Sequence, residues 1–262
     1  MKLNVVPART GISWVKLGIR TFLRQPLALA GLFFMYMAVV LVISFVPVIG
    51  PLVGGMLVPA ATLGLMAATA EASAGKFPMP TVLVSAFRAG RQRARSMLVL
   101  GLVYASGSLL ATWLGSQFAD PAPLSAATDP RVDVSTLVTL VLHTPLFLMF
   151  WHAPALVHWH GVTPAKSLFF STVACWRNMG ALTVYSLVWM GVFLLAGIVI
   201  TLIGGLAGGA SAARAVMMPA ALLMAAMFST SIWFTFRDSF SADPQPDAAP
   251  GPASPATDED LR

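Results

Sequence analysis

The sequence predicts an all-α fold, a polytopic membrane bundle of six transmembrane helices with three amphipathic helices at one membrane interface. Two observations carry this prediction. Of the 262 residues, 57% are hydrophobic and only 10% are charged, whereas a soluble domain normally carries about 25% charged residues. Six stretches of about 20 residues also contain no Asp, Glu, Lys or Arg. The chain has too little polar surface for water, and a bilayer is the solvent that fits it.

Each uncharged stretch is long enough to cross a bilayer as a helix, which pairs its own backbone polar groups where water is absent. The predicted spans are residues 26–46, 51–70, 97–116, 136–157, 181–203 and 215–236. The four residues between the first two spans can form only a tight hairpin. Since no small-residue cleavage site follows the first apolar run, we expect that run to be retained rather than removed as a signal peptide.

The basic residues predict how the bundle is oriented. Of the 16 Lys and Arg residues, all except Arg131 and Arg214 fall on one side of the membrane if the chain starts inside. Cytoplasmic flanks carry the excess of positive charge, so the sequence predicts a multi-pass protein of the bacterial inner membrane with both termini cytoplasmic. The loop over residues 117–135 is then external. The net charge of +6 indicates anionic lipid of the cytoplasmic leaflet as the counter-charge, rather than nucleic acid.

Two regions differ in composition. Residues 1–238 form the predicted transmembrane domain. Residues 239–262 are rich in proline and end in Asp258, Glu259 and Asp260, a composition with little to bury. We therefore predict an acidic, disordered cytoplasmic tail.

The predicted cytoplasmic segments resemble one another. Apolar residues recur at helical spacing before the first, third and fifth spans, and each of these segments also carries basic residues. In the first segment the apolar positions are Ile12, Val15, Ile19, Phe22 and Leu23, and Lys16, Arg20 and Arg24 line the opposite face at intervals of four. In the third segment, Thr163 and Pro164 provide a helix start. These patterns predict interfacial helices.

A basic residue followed by an amide stands near the start of each following span. The three pairs are Arg24-Gln25, Arg91-Gln92 and Arg177-Asn178. The chain thus resembles three copies of one unit, a surface helix followed by two spans, although membrane proteins in general place basic amphipathic helices beside their spans. We consider Arg24, Arg91, Arg177 and Asn178 as candidate contacts to lipid phosphate or as helix caps.

Four histidines lie around the fourth predicted span: His143, His152, His158 and His160. Positions 143 and 152 fall on opposite sides of a straight helix of 3.6 residues per turn, so they could share a metal only if Pro145 or Pro154 bends the helix. No HExxH motif is present, and the single Cys175 excludes an intramolecular disulfide. We predict no metal, no cofactor and no catalytic residue. His143 and His152 remain a candidate intramembrane polar site, with interhelical hydrogen bonding as the simpler role.

Several short motifs are similar to those of a known family. They are Pro47-Val48-Ile49-Gly50-Pro51, Pro59, Ala153-Pro154-Ala155-Leu156-Val157, Gly161-Val162, Pro164, Lys166-Ser167-Leu168, Ser171, Ala174-Cys175 and Arg177-Asn178. With them the chain resembles, over residues 10–238, a family of uncharacterised six-span inner-membrane proteins of betaproteobacteria. The unit of one surface helix and two spans is more distantly similar to the membrane domain of glycerophosphodiester phosphodiesterases. Because no catalytic domain accompanies it here, the resemblance implies a fold and not that activity.

The function predicted from these patterns is a non-enzymatic membrane component that binds anionic lipid of the cytoplasmic leaflet or a partner protein. The partner would be a second copy of the chain or another membrane protein. Two alternatives remain open. Proline-broken spans around His143 and His152 could form a small transporter or channel, and the histidines could hold a metal in a membrane enzyme.

Overall fold

A computed structural model describes residues 2–47, 49–119 and 134–241 of the chain and confirms an all-α membrane bundle. In these ranges six helices are long and apolar enough to cross a membrane. The helices are α1 Thr10–Arg24, α2 Pro26–Ser44, α3 Ile49–Ser73, α4 Ser85–Arg88, α5 Arg91–Ser116, α6 Val134–Phe150, α7 Ala153–His160, α8 Pro164–Arg177, α9 Met179–Leu206 and α10 Ser211–Ser239. A 3-10 turn, Pro80–Val84, precedes α4. Most of the predicted external loop, residues 120–133, lies outside the described ranges.

The six spans agree with the predicted ones, with α6 and α7 together forming the fourth. Local signals explain several boundaries. Pro26 and Pro164 each occupy the first turn of a helix, where the missing N–H of proline costs nothing. Between α9 and α10 the backbone is non-helical at Gly209, with a φ of 73°. Glycine adopts that conformation without the steric cost of a Cβ, so the hairpin between the last two spans bends there.

The fourth span is broken in its last third, beside one of the two prolines at which the sequence left a bend open. Helix α6 ends at Phe150 and α7 begins at Ala153. Pro154 in the first turn of α7 has no N–H to donate to the carbonyl of Phe150, and its ring would clash with that carbonyl in a continuous helix. Pro145 lies inside α6 and does not end it.

Both ends of the described chain lie on the same side of the bundle. Strand β1, Lys2–Leu3, pairs antiparallel with strand β2, Phe240–Ser241, which directly follows α10. We call this side the N-terminal face. The predicted tail was placed from residue 239 onward, yet Phe240 is 5% exposed and paired, so folded structure continues two residues past the end of α10. The remainder of the tail, residues 242–262, lies outside the described ranges.

The segments on the N-terminal face pack in a cyclic order. Each segment that precedes a pair of spans contacts the pair before it: α1 packs on α9 and α10, the segment 80–88 packs on α3, and α8 packs on α6 and α7. Glycines permit two of these contacts. A Cβ on Gly18 would lie 2.7 Å from the Cα of Ser231, and one on Gly64 would lie 2.8 Å from the Cα of Leu83. This arrangement is what three copies of one unit would produce around a ring.

Two of the predicted surface helices differ from expectation. In α1, the buried face carries Trp14, Val15 and Phe22, whereas Ile12 and Leu23 are exposed. The predicted stripe is therefore divided, because α1 turns its aromatic and glycine positions toward α9 and α10. Ile19 and Leu23 lie beside Lys16, Arg20 and Arg24, so the prediction that these basic residues line the opposite face of the helix was wrong there. Before the third span, the expected amphipathic helix is only a 3-10 turn and the four-residue α4.

Candidate functional site

The outer side of α1 combines exposed basic and apolar residues. Lys16, Arg20 and Arg24 are exposed and share a shallow depression with Ile19 and Leu23. The buried side of the same helix is packed against protein, so this outer side is the part of α1 that faces its surroundings. Such a surface can place apolar groups among acyl chains and cations at phosphates.

The other two predicted arginines are also exposed on the N-terminal face. Arg177 is the last residue of α8, just as Arg24 is the last residue of α1, and in both cases a single amide residue precedes the next span. Arg91 differs because it is the first residue of α5 and follows Gly90. The first and third units therefore correspond closely in structure, whereas the second unit differs from both.

Asn178 lies buried at the junction of α8 and α9, 2% exposed. Its Oδ1 accepts a hydrogen bond from the Val6 backbone N–H at 2.8 Å, and its Nδ2 donates to the Asn4 carbonyl at 3.0 Å and to Ser239 Oγ at 3.4 Å. The side chain makes no cap hydrogen bond to α9. Asn178 is thus occupied in joining the N-terminal segment to the end of α10, rather than in meeting lipid.

Gln25, at the corresponding position of the first unit, has a related role. Its Nε2 donates to the Lys76 carbonyl at 3.1 Å, in the segment that leads to the 3-10 turn. Each of these two amides therefore bonds the backbone that precedes the next surface segment. The second unit differs, because Gln92 lies inside α5 and is exposed. There the neighbouring residue Arg93 approaches the backbone that precedes the next surface segment, at Gly161 between α7 and α8.

A polar stripe on α10 connects the bundle, and sequence analysis missed it. Ser231, Thr235 and Asp238 recur at helical spacing and accept hydrogen bonds from three indole N–H groups of other elements. These are Trp189 to Ser231 Oγ at 3.1 Å, Trp151 to Thr235 Oγ1 at 2.9 Å, and Trp14 to Asp238 Oδ2 at 2.9 Å. The Tyr185 hydroxyl also bonds Ser231 Oγ at 2.6 Å. The i, i+4, i+7 spacing was the available signal, and it identifies the face of α10 that organises the core.

A serine of α8 bridges the break in the fourth span. In an unbroken helix the His152 N–H would donate to the Leu148 carbonyl. Instead it donates to Ser171 Oγ at 3.0 Å, and that hydroxyl donates to the Leu148 carbonyl at 2.9 Å. Backbone groups freed inside a membrane need such partners. Pro154, Ser171 and Asn178 are among the residues that carry the family resemblance, so the resemblance coincides with the break and the α8–α9 junction.

The two histidines of the candidate polar site do not meet. His143 Nδ1 lies 2.8 Å from the Thr139 carbonyl and its Nε2 lies 3.1 Å from Ser108 Oγ on α5. His152 is 1% exposed and its ring lies beside Phe236 and Phe240. His143 thus links two spans, α5 and α6, while His152 packs in an aromatic pocket.

The remaining histidines lie at the N-terminal face. His160 packs near Phe236 and Phe240, and His158 stacks edge-on against Trp159. Within the described ranges, no group of three His, Cys, Asp or Glu residues is placed to hold a metal ion. Cys175, in α8, is buried, and burial raises the pKa of its thiol to about 12. That thiol is therefore protonated at neutral pH, the unreactive form.

Comparison with known proteins identifies the family. A probable inner membrane protein of Burkholderia thailandensis is 37% identical to this chain over 255 residues, which cover 92% of the chain and 94% of the relative. No protein-family model matches the chain. No solved structure matches it either. With near-complete coverage at this identity, and with six apolar helices, the chain belongs to the family of the B. thailandensis protein and is a multi-pass inner membrane protein.

Proposed function

We propose that the protein is a non-enzymatic, lipid-binding component of the inner membrane whose N-terminal face is cytoplasmic. Its ligand is anionic phospholipid of the inner leaflet, bound along the outer side of α1. The observation that carries the proposal is the exposed row of Lys16, Arg20 and Arg24 beside Ile19 and Leu23. The opposite side of the same helix is buried against protein.

The orientation rests on how charge is divided between the two faces. On the N-terminal face lie the basic residues of α1, of the segment 76–95 and of α8, whereas Arg214 stands near the start of α10 at the opposite face. The positive-inside rule places the more basic face in the cytoplasm. That leaflet carries the anionic lipids, which attract each nearby Lys or Arg.

Contact with a second copy or another membrane protein is the companion proposal. Many large apolar residues of α9 are exposed, among them Leu187, Leu194, Leu195 and Leu202. Lipid acyl chains cover such a surface as well as protein does, so α1 gives the stronger argument. The distant similarity to the membrane domain of glycerophosphodiester phosphodiesterases stays a prediction, as does the transporter alternative. The broken fourth span favours a transporter. His152 argues against one, because its side chain is buried among aromatic rings.

Neutralising the α1 row tests the lipid proposal. In nanodiscs that contain phosphatidylglycerol, the triple variant Lys16→Gln, Arg20→Gln, Arg24→Gln should bind this lipid more weakly than wild type. The affinity should fall by about fivefold for each charge removed. The measurement is the number of phosphatidylglycerol molecules that the purified protein retains in native mass spectrometry, at low and at high salt.

Arg214→Gln is the matched control, since it removes one exposed charge far from α1. It should change retention much less than Arg20→Gln does. If the triple variant keeps the wild-type preference for phosphatidylglycerol over phosphatidylcholine, the proposal is wrong.

A further inference from the structure

A polar cleft opens on the N-terminal face between α3, the segment 79–89 and α7. Its volume is about 430 Å³ and its polar lining comprises Glu71, Thr81, Ser85, Arg88 and His158. It is distinct from the outer side of α1. The volume suits a small charged group rather than a single water.

The segment beside the cleft dips along the second span. Gly64 is in van der Waals contact with the Leu83 backbone, and it lies nine residues before the end of α3 at Ser73. At a rise of 1.5 Å per residue this is about 13 Å below the end of the helix. Irregular backbone beside a span is tolerated where it packs on protein or lines a cavity, and this segment packs on α3 and lines the cleft.

Two polar atoms at the cleft are buried without a hydrogen-bond partner in the described structure, Ser85 Oγ and His158 Nδ1. Leaving a buried donor or acceptor unpaired is costly. Both side chains line the cleft. A small rotation of either side chain would bring its polar atom to the phosphate or hydroxyl oxygens of a ligand in the cleft.

The charges around the cleft have both signs. Arg88 lines it together with Glu71. Arg93 is near as well: its Nη2 lies 4.0 Å from the position of a Cβ on Gly161, and its charge acts on His158. Two guanidinium groups suit a phosphate, whereas the Glu71 carboxylate suits an ammonium group. The complementary ligand is a phosphate ester that also carries a primary ammonium.

We propose that this cleft binds the phosphoethanolamine head group of a membrane lipid. Arg88 and Arg93 contact the phosphate, with Ser85 and His158 bonding its oxygens, and Glu71 accepts hydrogen bonds from the ammonium. A choline head group has no N–H to donate to Glu71, so the cleft discriminates between the two zwitterionic lipids. The lipid form is favoured over free phosphoethanolamine because the neighbouring Met79, Val84 and Phe87 are exposed apolar side chains that suit a glycerol backbone and acyl chains.

The test uses full-length protein in nanodiscs with equal amounts of phosphatidylethanolamine and phosphatidylcholine and a fixed fraction of phosphatidylglycerol. Native mass spectrometry then gives the ratio of the two zwitterionic lipids retained. Wild type should prefer phosphatidylethanolamine by about tenfold, as expected for charge-assisted hydrogen bonds. Glu71→Gln and Arg88→Gln should bring the ratio close to one, and Ser85→Ala should lower it in part.

Arg24→Gln is the control that separates this site from the α1 row. It should reduce phosphatidylglycerol retention and leave the phosphatidylethanolamine ratio unchanged, so that either proposal can fail alone. Thermal melting of Glu71→Gln, Arg88→Gln and Ser85→Ala identifies any variant that is misfolded, and the folded variants then test the proposal. A wild-type ratio near one, or an unchanged ratio in the folded variants, overturns the inference. If equimolar free phosphoethanolamine displaces the lipid, the ligand is the free head group and not the lipid.

Discussion

Gly18→Ala should destabilise the folded protein by about 3 kcal/mol, because one added methyl group cannot fit between α1 and α10. A Cβ at this position would overlap the Cβ of Ser231 and lie 2.7 Å from its Cα. Backbone cannot move aside as a flexible side-chain end can. The resulting shift would also strain the Ser231 bonds to Tyr185 and Trp189. The measurement is the midpoint of denaturant unfolding in detergent micelles.

Gly31→Ala is the matched control for this prediction. Gly31 lies in α2 with nothing within 4 Å of the added Cβ, and alanine favours a helix over glycine by up to about 1 kcal/mol. The control should therefore be neutral or slightly stabilising. Equal effects of the two substitutions would show that α1 is not packed on α10 as described.

Asn178→Ala should destabilise the protein by about 3 kcal/mol, because it leaves the Val6 N–H and the Asn4 carbonyl without their partner. The loss would loosen the N-terminal segment at the end of α10, which would then be held by the β1–β2 pairing and the bond from the Asn4 N–H to the Ser239 carbonyl. Hydrogen exchange should show it as faster exchange at residues 2–6, and thermal melting as a lower midpoint.

The equivalent amides provide graded controls. Gln25→Ala removes one hydrogen bond, to the Lys76 carbonyl, and should cost about 1 kcal/mol. Gln92→Ala changes an exposed residue and should stay within about 0.5 kcal/mol of wild type. If Gln92→Ala proved as costly as Asn178→Ala, the distinct role given to Asn178 would be wrong.

Much of the fold could be predicted because its signals are local. Uncharged windows located all six spans, and Pro164 after Thr163 located the start of α8, although Thr163 makes no side-chain cap bond. The break in the fourth span needed more than Pro154, since Pro145 leaves α6 intact. The break also depends on Ser171, which belongs to a different helix and bonds the backbone groups that the break leaves unpaired.

The contacts that assemble the candidate sites are distant in sequence, which is why they were not predicted. Trp14 and Asp238 are separated by 224 residues and Val6 and Asn178 by 172. The division of the α1 stripe between residues that meet protein and residues that stay exposed was not predicted for the same reason. Hydrophobicity alone does not show which side of a helix meets protein and which meets lipid when both surroundings are apolar. The polar cleft likewise draws on α3, α4 and α7, which no sequence spacing relates.

Binding of inner-leaflet lipid at α1 requires the N-terminal face to be cytoplasmic, and cysteine accessibility tests this directly. Wild type provides the background, because Cys175 is buried with its thiol pKa raised to about 12 and should not react at neutral pH. Gln117→Cys, at the opposite end of α5, should react with a membrane-impermeant maleimide in intact spheroplasts. Arg91→Cys, at the other end of the same helix, should react only after the membrane is permeabilised. The reverse pattern, with Arg91→Cys labelled in intact spheroplasts and Gln117→Cys protected, would contradict the account.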